Sequence, residues 1–267
     1  MKAFRPFFVI ISLILIVGLA CSFGSGSGND DPTEAVPPTA EQSEPTEDIE
    51  EEPTDEEPVD EPTEEEPTEE ASNAEAEAYY TETFDGNIDN YTYFNTGEGD
   101  EDKMTLETDD GSLVFDLKDE NLWIYVTYNA FTYEDVSLEV VADNRGKNSN
   151  NISLLCRYDP DEGWYEFNIS NGGLYDIFAY DATGAVRKGY NSIVNGASKA
   201  VKQGREINTY GASCIGDELT LTINGEEVKS IKDSKYKFRE GKVGFSVSSF
   251  NVLPILVNVD EFTILEP

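Results

Sequence analysis

Residues 153–180 read SLLCRYDPDEGWYEFNISNGGLYDIFAY. Three runs of alternating apolar and polar residues lie there, separated by the turn clusters Asp159-Pro160-Asp161-Glu162-Gly163 and Ser170-Asn171-Gly172-Gly173. Alternation with period two, bounded by Pro, Gly, Asn and Asp, predicts three consecutive antiparallel strands. In the middle run Tyr165, Phe167 and Ile169 share one face, and Trp164, Glu166 and Asn168 share the other. The first set reads as core. The second places an indole, a carboxylate and an amide side by side on an open face.

The same alternation extends in both directions from this meander. Candidate strands recur from Tyr79 to the end, at intervals of about 8 to 12 residues, which predicts an all-β sandwich or barrel. Asn224-Gly225, between Glu218–Ile223 and Glu227–Ile231, is a two-residue hairpin turn, because both residues tolerate positive φ. Asp143 to Asn151 reads as a polar loop. Gly184 to Gly204 reads as a short helix near Ala197–Val201 or as a crossing between sheets. Cys156 and Cys214, 58 positions apart and each within a strand, suggest a disulfide between neighbouring strands, with two buried thiols as the alternative.

The N-terminal third differs in kind. Lys2 and Arg5 precede an apolar run from Phe7 to Ala20, too short to span a ~30 Å hydrocarbon layer comfortably. This pattern describes a secretory signal, residues 1–20, against the alternative of an uncleaved anchor. Leu19-Ala20-Cys21 resembles the end of a bacterial lipoprotein box, with Gly18 where that box usually has Leu. The resemblance implies lipidation of Cys21 and an extracytoplasmic location on a bacterial membrane, at the cell surface. Residues 22–78 hold 22 acidic residues and no basic one, with Pro, Thr and Glu throughout. Such a segment buries too little apolar area to offset its ordering entropy, so 21–78 reads as a disordered tether. Fully extended it reaches about 180 Å. Residues 79–267 then form the globular domain.

Charge narrows the function further. The formal net charge is −37, and the globular part alone remains near −17, which disfavours nucleic acid and anionic lipid as partners. With no histidine, the His-activated nucleophiles and usual catalytic zinc sets are unavailable.

Across Thr83 to Leu265 the strand sequences DGSLVFDL, NLWIYVTY, DVSLEVVAD, LLCRYDPDEGWYEFNISNGGLYDI, INTYGASCIGDELTLTINGEEV, REGKVGFSV and VNVDEFTIL together resemble the concanavalin A-like lectin/glucanase jelly roll. They are most similar to the variety in bacterial surface lipoproteins and the 3-keto-disaccharide hydrolase group. The resemblance implies a two-sheet antiparallel jelly-roll sandwich, with Arg157 and Glu166 on the open sheet face. The Glu-x-Asp-x-x-Glu strand of laminarinase-type members is missing. The nearest acidic run, Glu134 to Glu139, lacks that spacing, and retaining hydrolysis needs two carboxyl groups about 5–5.5 Å apart.

The candidate ligand-binding set is therefore Arg157, Trp164, Glu166, Asn168 and Asp176, with Phe178 beside them. An indole that lies flat next to planar hydrogen-bonding groups suits a sugar, apolar on its faces and hydroxylated at its rim. The competing reading makes Arg157–Glu166 a cross-strand ion pair and Trp164 a cover for the sheet edge. A structural calcium ion is a further option, at Asp143-Asn144 or Asp85-Gly86-Asn87. The favoured function is a tethered binding module for carbohydrate or another cell-envelope ligand, with no catalytic residue. The alternatives are a glycoside-processing enzyme using Glu166 or Asp176 as base with Arg157 orienting substrate, and an adhesive module with no small-molecule site.

Overall fold

The computed structural model describes residues 76–267. The expected signal sequence, Cys21 and nearly all of the tether lie outside the described residues. Fifteen strands are found among those described: β1 (Tyr80–Glu82), β2 (Tyr91–Asn95), β3 (Met104–Asp109), β4 (Ser112–Leu117), β5 (Trp123–Tyr133), β6 (Val136–Asn144), β7 (Asn150–Asp159), β8 (Gly163–Ser170), β9 (Leu174–Asp181), β10 (Gly189–Ala197), β11 (Ile207–Ile215), β12 (Glu218–Ile223), β13 (Glu226–Lys232), β14 (Gly241–Ser249) and β15 (Ile255–Leu265). A single 3-10 turn, Glu101–Lys103, is the only helix among them.

The strands form two antiparallel sheets. One runs β13-β12-β11-β6-β15-β4-β3, with β1 also paired to β15; the other runs β10-β9-β8-β7-β14-β5-β2. Neighbours that are distant in sequence, such as β7 beside β14 and β6 beside β15, give the sandwich its jelly-roll character. Two edge strands escaped the sequence pattern. β2 has polar and aromatic residues on both faces, and β10 is an edge strand rich in Asn, Ser and Gly. The segment 198–204 is not helical.

The two inner faces meet in one apolar core. Tyr165, Phe167 and Ile169 of β8 are buried there with Leu154, Phe245, Leu138, Leu221 and Phe262. This is the face that the alternation assigned to the interior. Truncating a ring such as Phe167 to Ala removes transfer energy and leaves a cavity, at a cost of about 3–5 kcal/mol. The β12–β13 hairpin turns at Asn224 (φ 52°) and Gly225 (φ 77°), the two positive φ values of a type I′ turn.

Cys156 and Cys214 are joined by a disulfide, their Cα atoms 6.6 Å apart. Their strands, β7 and β11, belong to opposite sheets. The bond therefore crosses the core between the sheets instead of linking strand neighbours. At the start of the domain the Tyr128 and Tyr133 hydroxyls donate to the carbonyls of Glu77 (2.7 Å) and Ala78 (2.6 Å). These two bonds tie the first described residues to β5.

Candidate functional site

The seven-stranded sheet turns one face to the core and one away, and its register lays out the second face in rows. One row runs Trp123, Ser248, Asn151, Ser170 across β5, β14, β7 and β8. The next runs Phe94, Tyr125, Ser246, Ser153, Asn168, Asp176, Asn195. A third places Leu155 beside Glu166 and Phe178. The last sets Trp164 beside Tyr180 and Tyr190. Side chains two apart along a strand share a face, so each row sits directly above the next.

A depression of about 260 Å³ opens on this face, with Trp123, Tyr125, Phe178, Tyr190 and Phe250 as apolar walls. Asn151, Asn168, Ser248 and Glu166 supply its polar groups. The size falls just below the ~300–1,000 Å³ of sites for drug-sized ligands, which suits a single ring. Asn151 Nδ2 donates to Asn168 Oδ1, so the two amides brace each other. A second depression of about 390 Å³ adjoins it across these amides, lined by Tyr175, Asp176 and Asn195 among others.

Glu166 sits at the floor, 2% exposed. Its carboxylate accepts from the hydroxyls of Ser153 (2.8 Å) and Tyr125 (3.0 Å), from Asn168 Nδ2 (3.3 Å) and from Trp164 Nε1 (3.5 Å). Burial pushes its pKa above the ordinary carboxylate value, and these donors offset only part of that rise. Among the described residues no cation is paired with it. The Tyr125 hydroxyl lies 2.9 Å from that of Tyr190, so phenols connect the buried carboxyl to the depression. Burial raises both phenols, Tyr125 first by desolvation and then by the Glu166 charge. Asp176 is also raised, by burial against a partial offset from Ser192, and its Oδ1 has no hydrogen-bond partner.

The residues singled out in the sequence divide here. Glu166, Asn168 and Asp176, with Phe178, come together on the open face. Trp164 lies on that face but is only 5% exposed. Its indole stacks on Tyr180 with ring centroids 3.9 Å apart and planes 15° apart, while Tyr158 and Tyr190 close the remaining sides. It is the centre of an aromatic cluster, not an open platform.

Arg157 is not on the open face. The pairing of β7 with β8 slips between Cys156 and Asp159, so Arg157 and Tyr158 together oppose Trp164. One extra residue on a strand moves a side chain to the opposite face. Arg157 takes a left-handed conformation (φ 54°) and turns toward the other sheet. It is 2% exposed and donates to the carbonyls of Glu134 (2.8 Å), Phe238 (2.9 Å) and Cys214 (3.4 Å) and to Asp135 (3.2 Å). Neither the ligand-binding role expected for Arg157 nor the Arg157–Glu166 ion pair of the competing reading fits this placement; the side chain clamps the end of the sandwich instead. Gly163 permits the bulge, because a Cβ there would strike the Tyr180 carbonyl and the Phe238 ring.

Trp123, Tyr125, Tyr190, Asn151, Ser248 and Phe250 were not singled out in the sequence. The alternation in β5 separates Trp123, Tyr125 and Thr127 from Ile124, Val126 and Tyr128. Both sets hold large apolar residues, so the pattern alone does not say which faces out. Among the described residues no three His, Cys, Asp or Glu side chains gather as a metal centre would require. Asp85 accepts from Thr83 (3.0 Å), Asp143 lies 3.5 Å from Arg145 Nε, and Asn144 donates to the Gly204 carbonyl (2.6 Å).

Comparison with known proteins adds a family. A sequence model of the 3-keto-alpha-glucoside-1,2-lyase-like domain matches residues 79–253. No curated protein matches the chain in sequence. Among solved structures, a Bacillus subtilis protein of unknown function with a galectin-like fold is 10% identical, covering 69% of this chain and 94% of its own, with a TM-score of 0.53. A Bacteroides ovatus mixed-linkage glucan GH16 protein is 10% identical, covering 70% and 99%, with a TM-score of 0.52. The Bacillus licheniformis beta-glucanase is 14% identical, covering 72% and 100%, with a TM-score of 0.50. These likenesses show a shared jelly-roll fold of the concanavalin A-like type.

Proposed function

The chain belongs to the 3-keto-alpha-glucoside-1,2-lyase-like domain family, and we propose that it is a carbohydrate-binding module whose site is the aromatic-walled depression on the open sheet face. The observation that carries this reading is the union of Trp123, Phe178 and Phe250 with Asn151, Asn168 and Ser248 around one depression. Aromatic rings take up the apolar face of a sugar, and amides and hydroxyls bond its rim. Glu166 organises the floor: its oxygens are occupied by four protein donors, so it holds Tyr125 and Asn168 in place for the ligand. The test is calorimetric titration of wild type and Trp123→Ala with a panel of neutral oligosaccharides. Binding in the micromolar to millimolar range that Trp123→Ala weakens at least tenfold supports the reading. Binding that Trp123→Ala leaves intact refutes it.

The raised Glu166 carboxyl, linked through Tyr125 to Tyr190, favours a second reading in which the site processes 3-keto-glycosides with Glu166 as base. Turnover of an oxidised disaccharide that Glu166→Gln abolishes would establish it, and no product from that substrate rules it out. We further propose that Cys21 carries lipid and that the acidic segment holds the domain clear of a bacterial membrane at the cell surface. Partition of the expressed protein into a detergent phase, lost in Cys21→Ala, tests that anchor.

A further inference from the structure

We propose that the site selects a sugar bearing a free, protonated amino group, with the ammonium held at Asp176. The inference rests on the sugar-binding reading above and names the class of ligand within it. The two adjoining depressions share Asn151 and Asn168, so together they make one trough with an aromatic lobe and a carboxylate lobe. Its charge is one-sided. Glu166 and Asp176 are the ionisable carboxyl groups in the lining, and no Lys or Arg lines either lobe. Neither carboxylate takes part in any ion pair among the described residues.

The two carboxylates differ in what remains free. Glu166 is saturated by protein donors, whereas Asp176 Oδ1 has none. Asp176 is part-exposed in the lobe while its Oδ1 is enclosed without a partner, so the carboxylate charge is poorly compensated and a cationic donor against its accessible side relieves it. Asn168 and Asn195 flank Asp176 in its row and can bond hydroxyls beside the amine. The rings of the neighbouring lobe favour a cation over an anion as well, through their negative faces. Uronic, sulfated or phosphorylated sugars meet like charge here and are rejected. The ligand thus has one ring against the Trp123 wall and an amino sugar in the Asp176 lobe.

The test uses three disaccharides with one backbone: cellobiose, chitobiose with both amines free, and N,N′-diacetylchitobiose. Each is titrated into the full chain at physiological ionic strength, at a pH where the free amine is protonated. The free-amine form is expected to bind about 10- to 100-fold tighter than cellobiose, the range of one charge-assisted hydrogen bond. Asp176→Asn and Asp176→Ser are expected to bring the ratio of free-amine to cellobiose affinity near one, with circular dichroism and thermal unfolding showing that both variants fold. Equal affinity for all three ligands in the wild type overturns the amine preference and leaves the sugar site standing. A preference that survives in both variants overturns the role of Asp176. Failure of all three to bind overturns the inference together with the sugar-binding reading on which it rests.

Discussion

Replacing Arg157 with methionine separates the structural role of this side chain from any role in binding. The guanidinium holds three backbone carbonyls, those of Glu134, Phe238 and Cys214, at 2.8, 2.9 and 3.4 Å. Methionine keeps most of the volume but leaves these acceptors without their donor. The Asp135 side chain is 46% exposed, so solvent screens that ion pair and little of the effect comes from it. Losing a charged donor and leaving buried carbonyls unpaired costs about 1–3 kcal/mol for each acceptor, on the order of 3–5 kcal/mol here because the contact at 3.4 Å is weak. Relief of the left-handed backbone at this position offsets none of it, because methionine must adopt the same φ. For a domain of this size the loss corresponds to a drop of roughly 6–20 °C in Tm. Thermal and guanidinium unfolding, followed by tryptophan fluorescence with the disulfide intact, measures it. Affinity per folded molecule should stay at the wild-type value. A stable variant that no longer binds sugar would refute the reasoning, since it would place Arg157 in the site after all.

The buried Glu166 carboxyl gives a pH signature of defined sign. Its pKa is raised in the folded state, so the native protein holds this proton more tightly than the unfolded chain, where glutamate titrates near ~4.3. Stability from this group is therefore greatest at low pH and declines as pH rises through the raised folded value. The difference in Tm between Glu166→Gln and wild type should shift in favour of the variant from about pH 4 to pH 8, and parallel curves would contradict the assignment. The Cys156–Cys214 bond closes a separation of 58 residues between the two sheets. On the chain-entropy view its removal costs up to ~4 kcal/mol. The double variant Cys156→Ala/Cys214→Ala should lose a comparable amount in denaturant unfolding, and a loss under ~1 kcal/mol would show that the sheets need no such tie.

The sandwich was legible in sequence because period-two alternation survives wherever one face of a strand is buried. Strand β8 is the clearest case: Tyr165, Phe167 and Ile169 all enter the core as the pattern requires. Edge strand β10 was not legible, since a strand with few buried positions has no face to mark. The site was half legible for the same reason. Glu166, Asn168 and Asp176 follow from parity along regular strands. Arg157 does not, because one bulge residue reverses parity and nothing in CRYDPDEGW fixes whether the bulge precedes or follows it. Trp164 was assigned the correct face, but its cover comes from Tyr180 and from Tyr190, 26 positions away on an edge strand. Trp123 was hidden by the opposite ambiguity, with apolar residues on both faces of β5.

The chain holds two tryptophans, and their roles are opposite: Trp123 walls the depression and Trp164 is sealed in an aromatic cluster. In a ¹⁵N-labelled sample the two indole N–H signals, assigned with Trp123→Phe, should respond differently to a saturating oligosaccharide. The Trp123 signal is expected to move while that of Trp164, sealed beneath Tyr180, stays in place. Movement of Trp164 alone would contradict the assignment of the site to the depression walled by Trp123.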